Sequence, residues 1–342
     1  MSIVLANNKN NLEEFIINIG DILVKICGKR LNGIRENYRG FISERKSADA
    51  VLNYKEITLK NRKYQKQNNS QQDINLFLKI LKRNTLIYGL SKEMLLKKKD
   101  INSFLSHYFF AKAFDNFKKD RNNNDCLLIN RSILFYNRIR KEGTLFFLAK
   151  DNKHVRILEI DLALRVIYSK VFWHTNGLFF HCAGVIEDNK AYLFLGPGGI
   201  GKTTIAKKSQ ERPVLSDDMV GIRKVRQGYR AFATPWGRYQ KFCRTNRLYV
   251  PIGSVFFLNK DKKLTFREIT AAKAITLGLS QNNIFYSIYT TDSEFRFIFN
   301  LLNSFFRLFP AWEMSFSKNS DFWSYLPRKE GRDDEKNKEN ES

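Results

Sequence analysis

The sequence has few cysteines, and they are not arranged as a metal or disulfide framework. Its 342 residues contain Cys27, Cys126, Cys182 and Cys243, with no pair in C-x-x-C spacing. A disulfide scaffold and a structural zinc site are therefore not expected. A reducing cytoplasm is the expected compartment.

Long apolar segments are also missing. The first residues, MSIVLANNKNNLEEF, have a short apolar patch followed by asparagines and acids, which is not the pattern of a secretory signal. The most apolar late segment, residues 297–309, is interrupted by polar residues and an arginine. It falls short of the ~20 apolar residues that a membrane helix needs. We therefore expect no membrane span.

Acidic residues are too few to balance the basic ones. Lys and Arg number 59 against 34 Asp and Glu, which gives a net charge of +25. This excess fits an acidic partner, such as nucleic acid, a membrane surface or an acidic peptide. It also fits a lysine- and asparagine-rich composition spread over solvated faces. No block of six basic residues and no base-reading motif singles out nucleic acid, which is not the expected partner.

Residues 1–120 are predicted to form a mainly helical N-terminal region of unknown role. Apolar residues recur at helical spacing over residues 10–30, and residues 74–118 contain two further helical patterns. The polar stretch 61–73 is typical of a loop. No motif that carries chemistry occurs before residue 120.

Residues 121–326 differ from residues 1–120 in their pattern of apolar residues and are predicted to form a second domain. Short apolar runs separated by turns predict strands. A helix is predicted from an N-cap at Asp161 to a glycine at position 177, with further helices near 268–280 and 293–308. Residues 327–342 are of mixed charge without apolar anchors and are predicted to be a disordered tail.

The stretch GPGGIGKTT has the chemistry of a phosphate-binding loop. It follows a strand-like apolar run and fits G-x-x-x-x-G-K-[ST]. Its glycines let backbone N–H groups turn inward around phosphate oxygens. Lys202 can reach the β- and γ-phosphates, and the Thr203 hydroxyl can ligate Mg²⁺. The predicted nucleotide-binding residues are Gly196, Pro197, Gly198, Gly199, Ile200, Gly201, Lys202, Thr203 and Thr204.

A pair of carboxylates follows this loop. Asp217 and Asp218 end a brief apolar strand, 15 residues after Lys202. At the carboxyl end of a strand beside the loop they would be placed to hold Mg²⁺, so Thr203, Asp217 and Asp218 are the predicted metal ligands. An ordinary acidic turn is the alternative. Trp236, in a later turn, could face a substrate or pack in the core.

Residues 155–326 resemble the catalytic domain of HPr kinase/phosphorylase and its relatives. His181 opens HCAGV and lies 21 residues before Lys202, the spacing of that family, and GPGGIGKTT and LSDD resemble its phosphate loop and acidic pair. The resemblance implies a fold like that of phosphoenolpyruvate carboxykinase, an α+β or α/β mixed sheet with flanking helices. It also implies ATP and Mg²⁺ as cofactors and a serine hydroxyl on a peptide, protein or small molecule as acceptor.

The same resemblance implies roles for four catalytic residues. Lys202, with Thr203, would hold ATP and Mg²⁺, and Asp217 and Asp218 would divide the base and metal roles. His181 would lie near the acceptor or the γ-phosphate. HPr kinases form closed oligomers, so the resemblance also allows this chain to form a homo-oligomer. The arginine- and glycine-rich segment of true HPr kinases is missing after the acidic pair, so HPr itself is not the expected acceptor.

Two other functions fit the same motifs. A nucleotide-gated binding module would bind ATP without transferring phosphate. An enzyme like phosphoenolpyruvate carboxykinase would act on a carboxylic acid, and would need further arginines and a second metal site that the sequence does not reveal.

Overall fold

The computed structural model describes most of the chain in segments. These are residues 12–57, 85–86, 114, 116–120, 122–129, 132–148, 153–209, 211–226, 228–237, 249–280, 284–285, 292–317 and 321–327. They fall into two compact units, one drawn from Met1–Ile17 and Ile22–Val171, the other from Asn18–Asp21 and Phe172–Ser342. This division differs from the predicted domain boundary at residue 120. The predicted loop at 61–73 and all but the first residue of the predicted tail lie outside the described residues.

The first unit is built on an eight-stranded mixed sheet. The strand order is β3-β1-β2-β4-β8-β7-β6-β5, with β2, β4 and β8 parallel to one another. The strands are β1 (Glu13–Ile19), β2 (Ile22–Gly28), β3 (Ile42–Ser43), β4 (Ala50–Ile57), β5 (Thr85–Leu86), β6 (Asn124–Ile129), β7 (Ser132–Asn137) and β8 (Glu142–Leu148). Among the described residues of this unit, the α-helices with defined bounds are α1 (Asn32–Asn37) and α2 (Lys153–Trp173), and residues 116–119 are also helical.

The helix predicted over residues 10–30 is wrong, because the described part of this stretch forms the strands β1 and β2. Their apolar residues are buried at nearly every position. Such a continuous apolar run contains a helical stripe as well as a strand buried on both faces, so periodicity alone does not separate the two. The mainly helical prediction therefore fails over residues 13–57. Most of residues 74–118 lie outside the described part of the chain.

The helix predicted to start at Asp161 begins eight residues earlier. Asp161 lies inside α2, where its carboxylate accepts hydrogen bonds from Tyr38 Oη (2.6 Å) and Arg165 Nε (2.9 Å). An aspartate before an apolar run is typical of an N-cap, but here its ion pair with Arg165 supports the interior of a helix.

The second unit is built on a ten-stranded mixed sheet. The main path is β12-β10-β11-β15-β14-β13-β9-β17; β18 pairs with β15, and β16 pairs with β18. The strands are β9 (Gly177–Phe180), β10 (Cys182–Glu187), β11 (Lys190–Leu195), β12 (Val214–Ser216), β13 (Val220–Val225), β14 (Gly228–Phe232), β15 (Tyr249–Lys260), β16 (Thr265–Ile269), β17 (Ile284–Phe285) and β18 (Ala311–Phe316). The helices are α3 (Lys202–Lys208), α4 (Ala271–Ser280) and α5 (Asp292–Leu308).

The elements of both units bear out part of the predicted fold class. Two mixed sheets with flanking helices make the chain a mixed α+β protein, and α4 and α5 lie where helices were predicted. The finer likeness to phosphoenolpyruvate carboxykinase stays a prediction. In the part of the chain that the structure describes, no helix combines the length and apolar character needed to cross a membrane.

Parallel pairing brings the carboxyl ends of three strands to one edge of the second sheet. Leu195 of β11 lies opposite Phe257 of β15, and Lys260 of β15 lies opposite Phe316 of β18. Ligands of α/β sheets bind outside the carboxyl ends of their strands. The glycine-rich segment leaves the sheet at this edge.

The helix that follows this segment is held by an aromatic core. Ile205 and Ala206 of α3 pack in one buried cluster with Phe194, Phe256 and Trp323. The Trp323 indole N–H also donates a hydrogen bond to Ser209 Oγ at 2.9 Å. Helix α3 is therefore fixed against the sheet through its middle and at its carboxyl end.

Candidate functional site

The segment 196–204, here called the glycine loop, connects β11 to α3. At Gly201 φ is +128°, and an added Cβ would lie 2.7 Å from the Phe316 ring. Only glycine fits this position, for conformation and for space. Around Gly198 and Gly199, by contrast, no atom lies within 4 Å of where a Cβ would stand. The loop is thus packed at its end and borders open space at its middle.

Lys202 begins α3, and its side chain lies inside the glycine loop. Its Nζ donates hydrogen bonds to the backbone carbonyl oxygens of Gly196 (2.6 Å) and Pro197 (3.1 Å), and the residue is 7% exposed. Burial lowers the pKa of Lys202, while nearby Cys182, Asp218 and Asp217 act in the opposite direction. The ammonium therefore lies where the loop backbone curves around it, close to both predicted carboxylates.

Asp217 is the buried member of the acidic pair. It follows β12, is 4% exposed, and accepts a hydrogen bond from Thr203 Oγ1 at 2.9 Å. The hydroxyl and the carboxylate predicted to bind Mg²⁺ are thus in direct contact. Hydroxyl and carboxylate oxygens are the ligands that Mg²⁺ takes beside nucleotide phosphates.

Asp218 has a different partner. Its Oδ1 lies 3.2 Å from His181 Nε2, and both side chains are 22% exposed. His181 reaches this place through the sheet, because Cys182 lies opposite Leu195 in the β10–β11 hairpin. The residue before Cys182 therefore lies beside the start of the glycine loop. Two adjacent carboxylates face two different partners at one edge of the sheet.

The site contains a residue that sequence reasoning missed. Ser216 is fully buried, and its Oγ accepts the backbone N–H groups of Asp218 (3.2 Å) and Met219 (3.1 Å) while donating to the carbonyl of Trp236. This bonding fixes the turn that carries both aspartates. The sequence feature that could have revealed Ser216 is its residue type, since a serine just before a turn often hydrogen-bonds to the backbone that follows it.

Trp236 packs in the core rather than facing a substrate. It is buried, and its ring meets that of Phe179 edge-on at 5.2 Å between centroids. The adjacent Gly237 has φ +149°, and an added Cβ would lie 2.6 Å from Asp217 Oδ1 and 2.8 Å from Ser216 Oγ. The turn 234–237 thus closes over the buried aspartate.

Protein side chains alone do not enclose a metal here. Among the residues that the structure describes, no group of three or more His, Cys, Asp or Glu side chains could hold a metal ion. Magnesium bound together with nucleotide phosphates needs only one or two carboxylates. The Thr203–Asp217 pair beside an open glycine loop fits that second kind of site.

All of these residues lie in the part of the chain that a protein family shares. Residues 147–328 match the model of a family described as SynChlorMet cassette protein ScmC. The chain belongs to this family. The shared region covers more than half of the 342 residues and includes the glycine loop, the acidic pair and His181. No curated protein matches the chain.

Proposed function

We propose that this ScmC-family protein is an ATP-dependent phosphotransferase. It would transfer the γ-phosphoryl group of Mg·ATP to a serine hydroxyl on a peptide, a protein or a small molecule. The observation that carries the proposal is the pairing of the two aspartates, one with Thr203 and the other with His181, beside Lys202 in the glycine loop.

The glycine loop and Lys202 would bind the triphosphate. The open space around Gly198 and Gly199 lets phosphate oxygens approach backbone N–H groups, and Lys202 would exchange its carbonyl contacts for phosphate oxygens. Thr203 Oγ1 and Asp217 would hold Mg²⁺. When bound, ATP supplies the phosphoryl group, and Mg²⁺ neutralises part of the negative charge on its phosphates.

Asp218 would act as the general base. It is the more exposed of the two carboxylates, so an acceptor hydroxyl can reach it. Its carboxylate would accept the serine proton, and His181 would orient it through the contact at 3.2 Å. A positioned base contributes about 10²–10⁴ to the rate of such a transfer.

The function is tested with γ-labelled ATP, Mg²⁺ and the full-length chain. Free serine, serine-containing peptides and a cell extract are offered as acceptors. We expect label on a serine hydroxyl, and none when Mg²⁺ is removed by a chelator. ATP that binds but is never transferred would contradict the proposal and favour a nucleotide-gated binding module. Label on the enol oxygen of a small carboxylic acid, rather than on a serine hydroxyl, would favour an enzyme like phosphoenolpyruvate carboxykinase.

Gly237→Ala is expected to weaken Mg²⁺-dependent ATP binding by about tenfold while the chain stays folded. The new methyl group would push on Asp217 and Ser216, and the positive φ adds strain of about 1–3 kcal/mol. ATP titrations with and without Mg²⁺, beside urea unfolding, measure both effects. Gly253→Ala is the control for an added methyl group, since the atoms nearest to its Cβ would belong to Tyr192 and Lys190 rather than to the acidic pair. Equal Mg²⁺ dependence in the two variants would show that Gly237 does not position Asp217.

A further inference from the structure

The turn after β15 carries three exposed lysines in four residues. We call Lys260–Lys263 the lysine turn. Its one acidic residue is Asp261, which hydrogen-bonds to the backbone. Asp261 N–H donates to the carbonyl of Phe316 at 3.1 Å, and Asp261 Oδ1 accepts the N–H groups of Lys262 (2.6 Å) and Lys263 (3.4 Å). The first bond holds the turn to the end of β18, and the other two fix the backbone within the turn.

The lysine turn lies at the same sheet edge as the glycine loop. Lys260 is opposite Phe316, whose ring packs against Gly201. Because side chains alternate along a strand, Lys260 projects on the same face as Leu258, which packs in the cluster beneath α3. Lys260 lies three residues beyond Phe257, which is level with the end of β11, a distance of about 10 Å along the strand.

The turn keeps a net positive charge, because Asp261 is the one acid beside its three lysines. Nearby Arg267 Nε and Lys273 Nζ both bind Glu313, at 2.9 and 2.6 Å. The ammonium groups of the lysine turn, by comparison, have no ion pair among the residues that the structure describes. Three exposed lysines within four residues concentrate positive charge, and a ligand with several carboxylates would be attracted to it.

We propose that the lysine turn docks an acidic segment of the phosphoryl acceptor, a peptide or protein with carboxylates close to its serine. This inference rests on the proposed phosphotransferase function and names its substrate class. In the proposed function the glycine loop binds the nucleotide phosphates. The lysine turn, at the end of the neighbouring strand β15, is therefore available to bind the acceptor. Exposed lysines also attract an acidic chain over a distance and raise its rate of encounter.

The test compares two double variants of equal charge change. Lys260→Gln/Lys262→Gln removes two charges from the turn, and Lys224→Gln/Arg226→Gln removes two from exposed positions at the end of β13 and just after that strand. Val220 of that strand lies opposite Phe180, beside the site, and Lys224 is four residues further along, about 13 Å away. The control therefore lowers the net charge equally but away from the glycine loop.

The first readout is binding without ATP. The probe is a fluorescent peptide with one serine between runs of glutamate, and its glutamine counterpart is the reference. At low salt we expect the lysine-turn variant to bind the glutamate peptide about tenfold more weakly than the control variant does. Equal binding by the two variants would overturn the proposal. The proposal would also be overturned if a single-stranded oligonucleotide of equal charge bound more tightly than the glutamate peptide and depended on the same lysines.

The second readout is phosphoryl transfer. We expect the KM for the glutamate peptide to rise about tenfold in the lysine-turn variant, with kcat and the KM for ATP unchanged. A raised KM for ATP would overturn the proposal, because the lysines would then serve the nucleotide. Equal phosphoryl transfer to the glutamate and glutamine peptides would overturn the docking proposal but not the phosphotransferase function. Lysine-dependent peptide binding without any transfer would support docking and contradict the phosphotransferase function.

Discussion

Asp218→Asn is expected to lower the rate of phosphoryl transfer by about 10²–10⁴-fold while Mg·ATP still binds. Asparagine keeps the shape and the contact with His181 but cannot accept a proton from the acceptor hydroxyl. The buried Asp217 and its Thr203 contact are left in place, so the nucleotide site stays intact. Single-turnover transfer and ATP titration measure the two effects separately.

The matched variant is Asp217→Asn. It removes the negative charge beside Thr203, and we expect it mainly to weaken Mg²⁺-dependent ATP binding, by about tenfold or more. The two neutralised aspartates should therefore show opposite patterns, one in rate and the other in binding. If Asp218→Asn lost binding and Asp217→Asn lost only rate, the proposed roles would be reversed. Equal losses would mean that the two carboxylates act as one unit.

Lys202→Met is expected to reduce ATP affinity and the transfer rate together, with a loss of about 10²–10³ in rate. Methionine keeps an unbranched side chain of similar length but cannot donate to phosphate oxygens. The charge lost is the one that lies inside the glycine loop, bonded to the carbonyls of Gly196 and Pro197. Isothermal titration with ATP and the labelled transfer assay measure the effect.

Loss of those two hydrogen bonds could also loosen the loop, so the control must separate folding from binding. An unpaired carbonyl costs about 1–3 kcal/mol when it is buried. Urea unfolding of Lys202→Met measures this cost directly. Lys207→Met, on the same helix but at an exposed position, should keep both activity and stability. Normal ATP affinity in a folded Lys202→Met variant would exclude Lys202 as a phosphate ligand.

The N-terminal strands show where pattern reasoning fails. Residues 13–28 are apolar at so many positions that a helical stripe and a doubly buried strand both fit. Neighbouring strands decide the outcome, because β2 pairs in parallel with β4, and β4 with β8. Those partners are far away in sequence and cannot be read from a local window.

The glycine loop is what the sequence by itself determined. Its glycines, lysine and threonine lie within nine residues, so the local order of residue types specifies the turn that connects β11 to α3. The acidic pair was also found from its place after a short strand. The structure places this pair beside Lys202 and Thr203, and its role in binding Mg²⁺ stays a prediction.

Only the tertiary structure decided how the two aspartates differ. Adjacent in sequence, they point to Thr203 and to His181, because β12 pairs with β10 and the turn after β12 is held by Ser216 and the carbonyl of Trp236. The lysine turn comes to the same sheet edge as the glycine loop in the same way, through parallel pairing of β11 with β15. Strand pairing joins residues that are distant along the chain, and no local sequence pattern contains that information.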